Sequence, residues 1–98
     1  MAPPTLVVVT AKADCIAPQQ DGSLAIENMM LAASSLGIGS CWINCLARFL
    51  TTEDGKAFAE KVGIPAGYVG VSCLILGYPQ GERPEPKERA QGTVNFVK

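Results

Sequence analysis

The chain has 98 residues, of which 48% are hydrophobic and 17% are charged, and its net charge is −1. This composition is typical of a folded domain and excludes intrinsic disorder, while the lack of a basic excess argues against nucleic acid as a partner. No apolar run reaches the roughly 18 residues of a membrane span, and no signal-peptide pattern opens the sequence, so we expect a cytoplasmic protein with no membrane partner.

The first predicted elements are a strand and a long helix. Residues 6–10 form the run LVVVT, and successive β-branched residues are typical of a strand buried on both faces. After a loop, the helix is predicted to start at the N-cap residue Asp21 and to end at Gly37 and Gly39. Apolar side chains occupy most of its circumference, so it must be covered on nearly all sides. Because one small domain cannot do this alone, we expect a homodimer packed through the helix.

The rest of the chain adds shorter elements and an arm. The elements are an extended segment at residues 41–44, a helix from the N-cap Thr51 to about Val62 with Gly63 as its stop, and a strand over residues 68–76 that is apolar on both faces. Residues 80–92 are rich in charge, proline and glycine, which indicates an extended arm, and residues 93–97 have a strand-like pattern. This order predicts a mixed α/β, or α+β, fold with a small sheet, a long central helix and a C-terminal arm.

Side chains that commonly carry catalysis or bind metals are scarce. Histidine is absent, which removes the commonest general base and any mixed Cys/His metal site. The carboxylates are scattered, and Cys41 and Cys45 lack the C-x-x-C spacing, so we interpret the four cysteines as free thiols, buried as small hydrophobic side chains, in a reducing compartment. We therefore predict no catalytic side chain and no metal site.

Two local patterns each permit two interpretations. The residues GIGS at 37–40 indicate either a helix stop followed by close backbone approach, or bare backbone N–H groups that face a planar ligand. Lys87 and Arg89 are two positions apart, so an extended arm points them the same way. They are suited to gripping a phosphate, and the alternative is a solvated charge cluster with Glu85 and Glu88.

Several stretches taken together resemble one family. They are, in chain order, Ala2-Pro3 leading into LVVV, then DGSLAIENMMLAASSLGIGSCWI, VGIP-x-GY, LGYP and the basic arm P-x-P-K-x-R. In this order they resemble the C-terminal half of the nitroreductase-like, FMN-dependent oxidoreductases, and they extend over nearly all of the chain. The resemblance implies an α+β fold, an intimate dimer with FMN at its interface, and electron transfer from NAD(P)H to a small nitroaromatic or quinone-type acceptor.

The resemblance also implies a domain organisation and a cofactor site. Residues 1–98 would form a single half-length domain, and residues 79–98 would be an arm exchanged with the partner protomer. The cofactor-binding residues implied are Trp42, Ile43, Asn44, Cys45, Lys87 and Arg89. The segment 42–45 would lie along the flavin, with the backbone at its last two residues near the N5 and O4 edge, and the basic pair would hold the FMN phosphate. Family members commonly have a glycine near Asn44, so this position departs from the pattern.

Three hypotheses follow, because the family's N-terminal half is missing from the sequence. That half carries an Arg-Arg-Ser-x-x-Arg-like phosphate motif and helices that complete the flavin pocket. The first hypothesis is a small dimeric flavoprotein that binds FMN and reduces acceptors. The second is a non-catalytic dimeric remnant that has lost FMN and binds another small ligand or a partner chain. The third is a chain complemented by a separately encoded N-terminal half.

Overall fold

The computed structural model describes residues 5–97. Its elements, in chain order, are β1 (Thr5–Lys12), α1 (Pro18–Ser35), β2 (Gly39–Ile43), α2 (Leu46–Phe49), α3 (Glu53–Val62) and β3 (Tyr68–Gly77). The predicted α+β class is confirmed. The Ala2-Pro3 pair of the sequence pattern lies outside the described residues. Within residues 5–97, none of the helices combines the length and the hydropathy that crossing a bilayer requires.

The three strands form one sheet in the order β1-β3-β2, in which both pairs are antiparallel. The last strand in the sequence is therefore the central one, and its residues from Gly70 to Leu74 are buried. The prediction that the first strand is buried on both faces is wrong. β1 is an edge strand whose residues are half-buried or exposed, and Leu6 is 51% exposed. The β-branched run reflects strand propensity, and burial is decided by position in the sheet.

The long helix begins earlier than its composition suggests. Pro18 occupies the first turn and Ala17 is the N-cap, so Asp21 lies within the first turn and is not the cap. Proline suits this position because its missing N–H would be unpaired there in any case, and an acidic residue in the first turn favours the helix dipole. The prediction of Asp21 as N-cap is wrong for this reason.

The C-terminal end of α1 follows the prediction. Gly37 has a positive φ of 74°. Its N–H donates to the Ser34 carbonyl at 3.1 Å, and the Ile38 N–H donates to the Ala33 carbonyl at 2.9 Å. These two bonds are the Schellman arrangement, which pairs carbonyls that the helix end leaves open.

One side of α1 packs on the sheet, and much of the rest is exposed. The buried residues are Gly22, Ile26 and Ala33. A Cβ at Gly22 would lie 2.5 Å from a methyl group of Val71, so glycine lets the helix approach the central strand closely. The exposed residues include three leucines, Leu24, Leu31 and Leu36, which are 67%, 60% and 73% exposed. The described chain thus leaves a broad apolar surface on its longest helix uncovered.

The segment between β2 and β3 holds two short helices. Thr52, not Thr51, is the N-cap of α3, and its hydroxyl accepts a hydrogen bond from the Gly55 N–H at 2.9 Å. The rings of Phe49 and Phe58 meet edge to face with centroids 5.8 Å apart. Gly63 ends α3 in the left-handed conformation, as predicted.

Residues 78–97 form an arm without helix or strand. The predicted strand at 93–97 is wrong, because the described part of the chain pairs no strand with those residues. Its apolar side chains lie exposed, with Phe96 at 85% and Tyr78 at 81%. The arm gives the chain a radius of gyration of 16.7 Å, compared with about 13 Å for a compact domain of this length. Arg83 contacts α1 through a 3.5 Å hydrogen bond to the Ser34 hydroxyl.

Candidate functional site

The segment that follows Gly39 on β2 is fixed to the central strand. Trp42 pairs with Leu74 and Ile43 pairs with Cys73 in the antiparallel ladder. Asn44 and Cys45 form the turn that leads into α2, and both are exposed. The sheet therefore holds the first two predicted flavin-contacting residues in a defined place, and the next two extend from it.

The indole of Trp42 is tied to the sheet by a side-chain hydrogen bond. Its Nε1–H donates to the Ser72 hydroxyl at 2.9 Å. Ser72 is only 1% exposed, whereas Trp42 is 47% exposed, so the ring is held at its N–H and presents the rest of its surface outward. The two side chains can reach each other because Ser72 is two positions from Leu74, the direct partner of Trp42. Ser72 therefore lies diagonally opposite Trp42 on the same face of the sheet.

Sequence reasoning missed Ser72. The signal was a lone hydroxyl inside the apolar run VGVSCLILG, since an unpaired buried hydroxyl costs about 1–3 kcal/mol and therefore implies a partner. The chain contains one tryptophan, and a large side chain with a single donor is a natural candidate for that partner.

The turn at Asn44 and Cys45 offers hydrogen-bond donors. Among the described residues, neither backbone N–H donates to another backbone group, although the Cys45 carbonyl accepts from Phe49 at 3.0 Å. The donors lie next to the exposed aromatic surface of Trp42 along the chain. A flat apolar surface beside free N–H groups suits a planar heteroaromatic ring with acceptor atoms at its edge. The chemistry of these groups therefore fits a flavin.

The basic pair of the arm is not connected to this turn. Lys87 and Arg89 are exposed, as are Glu85 and Glu88 beside them. Within the described chain, no hydrogen bond or ion pair joins either cation to residues 42–45. The structure thus brings together four of the six predicted cofactor-binding residues as one segment and leaves the other two on the arm.

The glycines before β2 have structural explanations. Gly37 ends α1, and a Cβ at Gly39 would lie 3.2 Å from the Gly77 carbonyl oxygen of the paired strand. The first interpretation of residues 37–40, a helix stop followed by close backbone approach, accounts for both glycines.

Four free thiols lie along the chain, and the prediction that they are buried is wrong for three of them, because only Cys73 lies in the core. Burial raises the pKa of the Cys73 thiol above its ordinary value, and the neighbouring Cys45 adds to the rise. A thiol with a raised pKa stays protonated at neutral pH and is a poor nucleophile. Cys73 is therefore a core residue. No group of three or more Cys, Asp or Glu residues suited to a metal ion occurs in the part of the chain that the structure describes.

A separate, open cleft lies next to α2. Its lining residues are Gln19, Ala47, Leu50, Thr51, Tyr68, Val69 and Gly70. The Gln19 amide donates to the Gly70 carbonyl at 3.0 Å, which satisfies the most polar side chain in the lining. This cleft has few free polar groups to orient a ligand, so we place the candidate site at Trp42–Cys45.

Known proteins are similar to this chain in both sequence and fold. The family model of the nitroreductase family matches residues 2–78. A protein of Archaeoglobus fulgidus, named as a candidate NADH dehydrogenase/NAD(P)H nitroreductase, is 47% identical over 64 residues, which cover 65% of this chain and 35% of that protein. The crystal structure of a nitroreductase with bound FMN from Bacteroides fragilis matches with a TM-score of 0.88 and 37% identity. It is matched over 98% of this chain and 52% of its own.

A more distant structure has the same fold. The nitroreductase with bound FMN from Desulfitobacterium hafniense matches with a TM-score of 0.82 at 23% identity, over 98% of this chain and 52% of that chain. The chain therefore spans about half the length of the solved structures it matches.

Proposed function

The chain belongs to the nitroreductase family, as its motifs predicted, and from this premise we propose that it is part of an FMN-dependent NAD(P)H oxidoreductase. The acceptors we propose are small nitroaromatic or quinone-type molecules. The observation that carries the proposal is the exposed face of Trp42 beside the free N–H groups of Asn44 and Cys45. FMN, when bound, supplies the hydride and electron transfer, so the protein needs to supply position and electrostatics rather than a side-chain base. This agrees with a chain that has no histidine.

We assign roles to six residues in this proposal. Trp42 and Ile43 would contact the flavin ring, and the backbone N–H groups of Asn44 and Cys45 would donate to its polar edge. Lys87 and Arg89 would hold the phosphate, Arg with two parallel hydrogen bonds and Lys as a point charge. The side chain at Asn44, where family members commonly have glycine, would narrow the approach to the flavin edge.

We further propose a homodimer in which the arm at 79–98 is exchanged between protomers. The exposed leucines of α1 and the exposed Phe96 of the arm are apolar surface that the described chain does not cover. Large apolar side chains exposed on a helix and on an arm are suited to protein–protein contacts. An arm that packs on a partner would also carry Lys87 and Arg89 to that partner's site. The free thiols suit a reducing compartment, so the proposed location is the cytoplasm.

A second candidate function is a non-catalytic module of the same fold that binds a partner chain in place of FMN. The observation that favours it is the exposed apolar surface of α1 and of the arm, which a partner chain would cover.

The test is size-exclusion chromatography of the purified chain with a full absorbance spectrum, before and after addition of FMN. The proposed function predicts a dimer that elutes with flavin absorbance or acquires it on reconstitution. A folded dimer that stays colourless with excess FMN would support the second candidate and contradict the first. Poor solubility that is rescued by co-expression of a nitroreductase N-terminal half would show that the site is shared between two chains.

A further inference from the structure

The Trp42–Ser72 hydrogen bond ties the candidate site to the interior of the sheet. The indole N–H donates to a hydroxyl that is almost fully buried, at 2.9 Å. Ser72 lies on β3, the central strand, and its backbone is paired with Val9 on the far edge strand. The acceptor therefore lies on a buried strand that is paired on both sides.

The indole N–H can bond either to Ser72 or to water. Because the ring has a different orientation in each case, the bond to Ser72 decides the orientation. Trp42 is 47% exposed, so without Ser72 its N–H can turn toward water at little cost. A ring that turns in this way swings its flat face away from the position it has in the structure. By contrast, the Ser72 hydroxyl has no access to water and depends on the indole as its partner.

We propose that Ser72 is a positioning residue for the flavin pocket, which acts by holding the plane of Trp42 and does not itself touch the cofactor. The proposal rests on the proposed function, because it takes Trp42 as a wall of the FMN site. Rigid side chains that are fixed before binding lose less entropy when the ligand arrives. Ser72 thus raises FMN affinity indirectly, by holding Trp42 in the orientation that binds the ring.

The test is a double-mutant cycle on FMN affinity, measured by quenching of the flavin's own fluorescence. Ser72→Ala should weaken FMN binding about two- to tenfold, the range expected for one hydrogen bond. Trp42→Phe keeps an aromatic ring and removes the donor, so Ser72→Ala should have no further effect in that background. Ser40→Ala, on β2, is the matched control, because it removes a hydroxyl that has no indole partner and should leave affinity unchanged.

A second measurement uses the protein without FMN. Trp42 is the only tryptophan, so its emission and its quenching by acrylamide report on this side chain alone. Ser72→Ala should shift the emission to longer wavelength and increase quenching. Ser72→Cys, in which sulfur is a weaker acceptor of nearly the same size, should give an intermediate result and serves if the alanine variant does not fold.

The outcomes separate the positioning role from the proposed function. If Ser72→Ala weakens FMN binding by the same factor with Trp42 and with phenylalanine, Ser72 is merely structural and the proposal is overturned. Unchanged Trp42 emission in Ser72→Ala would overturn it as well. If the wild-type chain binds no FMN while Trp42 emission still shifts in the variant, the proposed function fails and the control of the indole by Ser72 stands.

Discussion

The two parts of the predicted cofactor site differ in how firmly the fold holds them. Residues 42–45 continue a strand that is paired with the buried centre of the sheet, and a hydrogen bond to Ser72 fixes Trp42 there. Lys87 and Arg89 lie on an arm that is exposed along its whole described length. The fold thus fixes the proposed ring-binding part on the sheet, whereas the proposed phosphate-binding part lies on an exposed arm.

The largest expected effect is on stability. It comes from disturbing the packing of α3 on α2, the short helix that follows the anchored segment 42–45. A Cβ at Gly55 would collide with the backbone carbonyl of Phe49 and lie 2.7 Å from the Leu50 Cα, so Gly55→Ala forces α3 away from α2. We expect the free energy of unfolding to fall by about 3 kcal/mol, measured by urea denaturation followed by circular dichroism. Gln91→Ala is the control on the arm, because Gln91 is exposed and its backbone does not have a positive φ. Equal losses from the two substitutions would contradict the contrast between the regions.

The next effect concerns the arm. If the arm supplies the phosphate site, Lys87→Ala with Arg89→Ala should weaken FMN binding about tenfold or more and leave riboflavin binding unchanged, since riboflavin has no phosphate. The affinities are measured by flavin fluorescence. The paired control is Glu85→Gln with Glu88→Gln, which changes the charge of the arm without removing a cation. Equal weakening for FMN and riboflavin would show that the pair does not contact the phosphate.

A smaller effect is expected at the start of α3, which packs beside α2 and so supports the anchored part. The Thr52 hydroxyl accepts the Gly55 N–H at 2.9 Å, while the Thr51 hydroxyl only donates to the Arg48 carbonyl. Thr52→Ala should lower the free energy of unfolding by about 1 kcal/mol, the usual cost of a lost N-cap. Thr51→Ala should cost clearly less in the same denaturation experiment. The reverse order would restore Thr51 as the cap.

The smallest effect is a dependence of the free energy of unfolding on pH, caused by Cys73 on the central strand beside the anchored segment. Burial, and to a lesser extent the neighbouring Cys45, raises the pKa of the Cys73 thiol above its ordinary value in the folded chain. As pH rises past the ordinary thiol value, the unfolded chain loses this proton before the folded chain does, so stability decreases. Below that value the two states hold the proton equally and the effect vanishes. Denaturation curves between neutral and alkaline pH should show this decrease, and Cys73→Ala should remove it.

Thiol labelling gives an independent check of the same contrast. Cys15, Cys41 and Cys45 are exposed, and Cys73 is buried. In the native protein at neutral pH, three thiols should react rapidly with a disulfide reagent and the fourth only after unfolding. Rapid labelling of all four would mean that the centre of the sheet opens readily.

Much of the fold was predictable where a local pattern has only one good solution. Gly37 and Gly63 mark helix ends because few other residues adopt the left-handed conformation, and the apolar run of β3 needs a buried strand. The observed helix starts differ from the predicted ones. Asp21 and Thr51 are residue types that favour the N-cap position, but α1 begins at Pro18 and the N-cap of α3 is Thr52. Local chemistry permits several starts, and packing selects among them.

What the sequence could not reveal depends on pairing across the chain. The exposure of β1 and the lack of a strand at 93–97 follow from which segments lie beside them, and no local pattern contains that information. The link between Trp42 and Ser72 joins residues far apart in sequence, so it appears only when the register of β2 and β3 is known. The family resemblance identified residues 42–45 as a candidate cofactor segment but not Ser72 as the residue that anchors it.

The position of β3 has a consequence for synthesis. In the order β1-β3-β2, the first two strands pair only with the last one, and Thr5 finds its partner in Leu76. No part of this sheet can close while the ribosome is still making the preceding residues. Long-range pairing of this kind is slow because the loop must be closed before any contact stabilises it. The nascent chain therefore exposes two strand edges and an apolar helix until β3 emerges, and it is in this interval that a chaperone or an assembly partner has the most to bind.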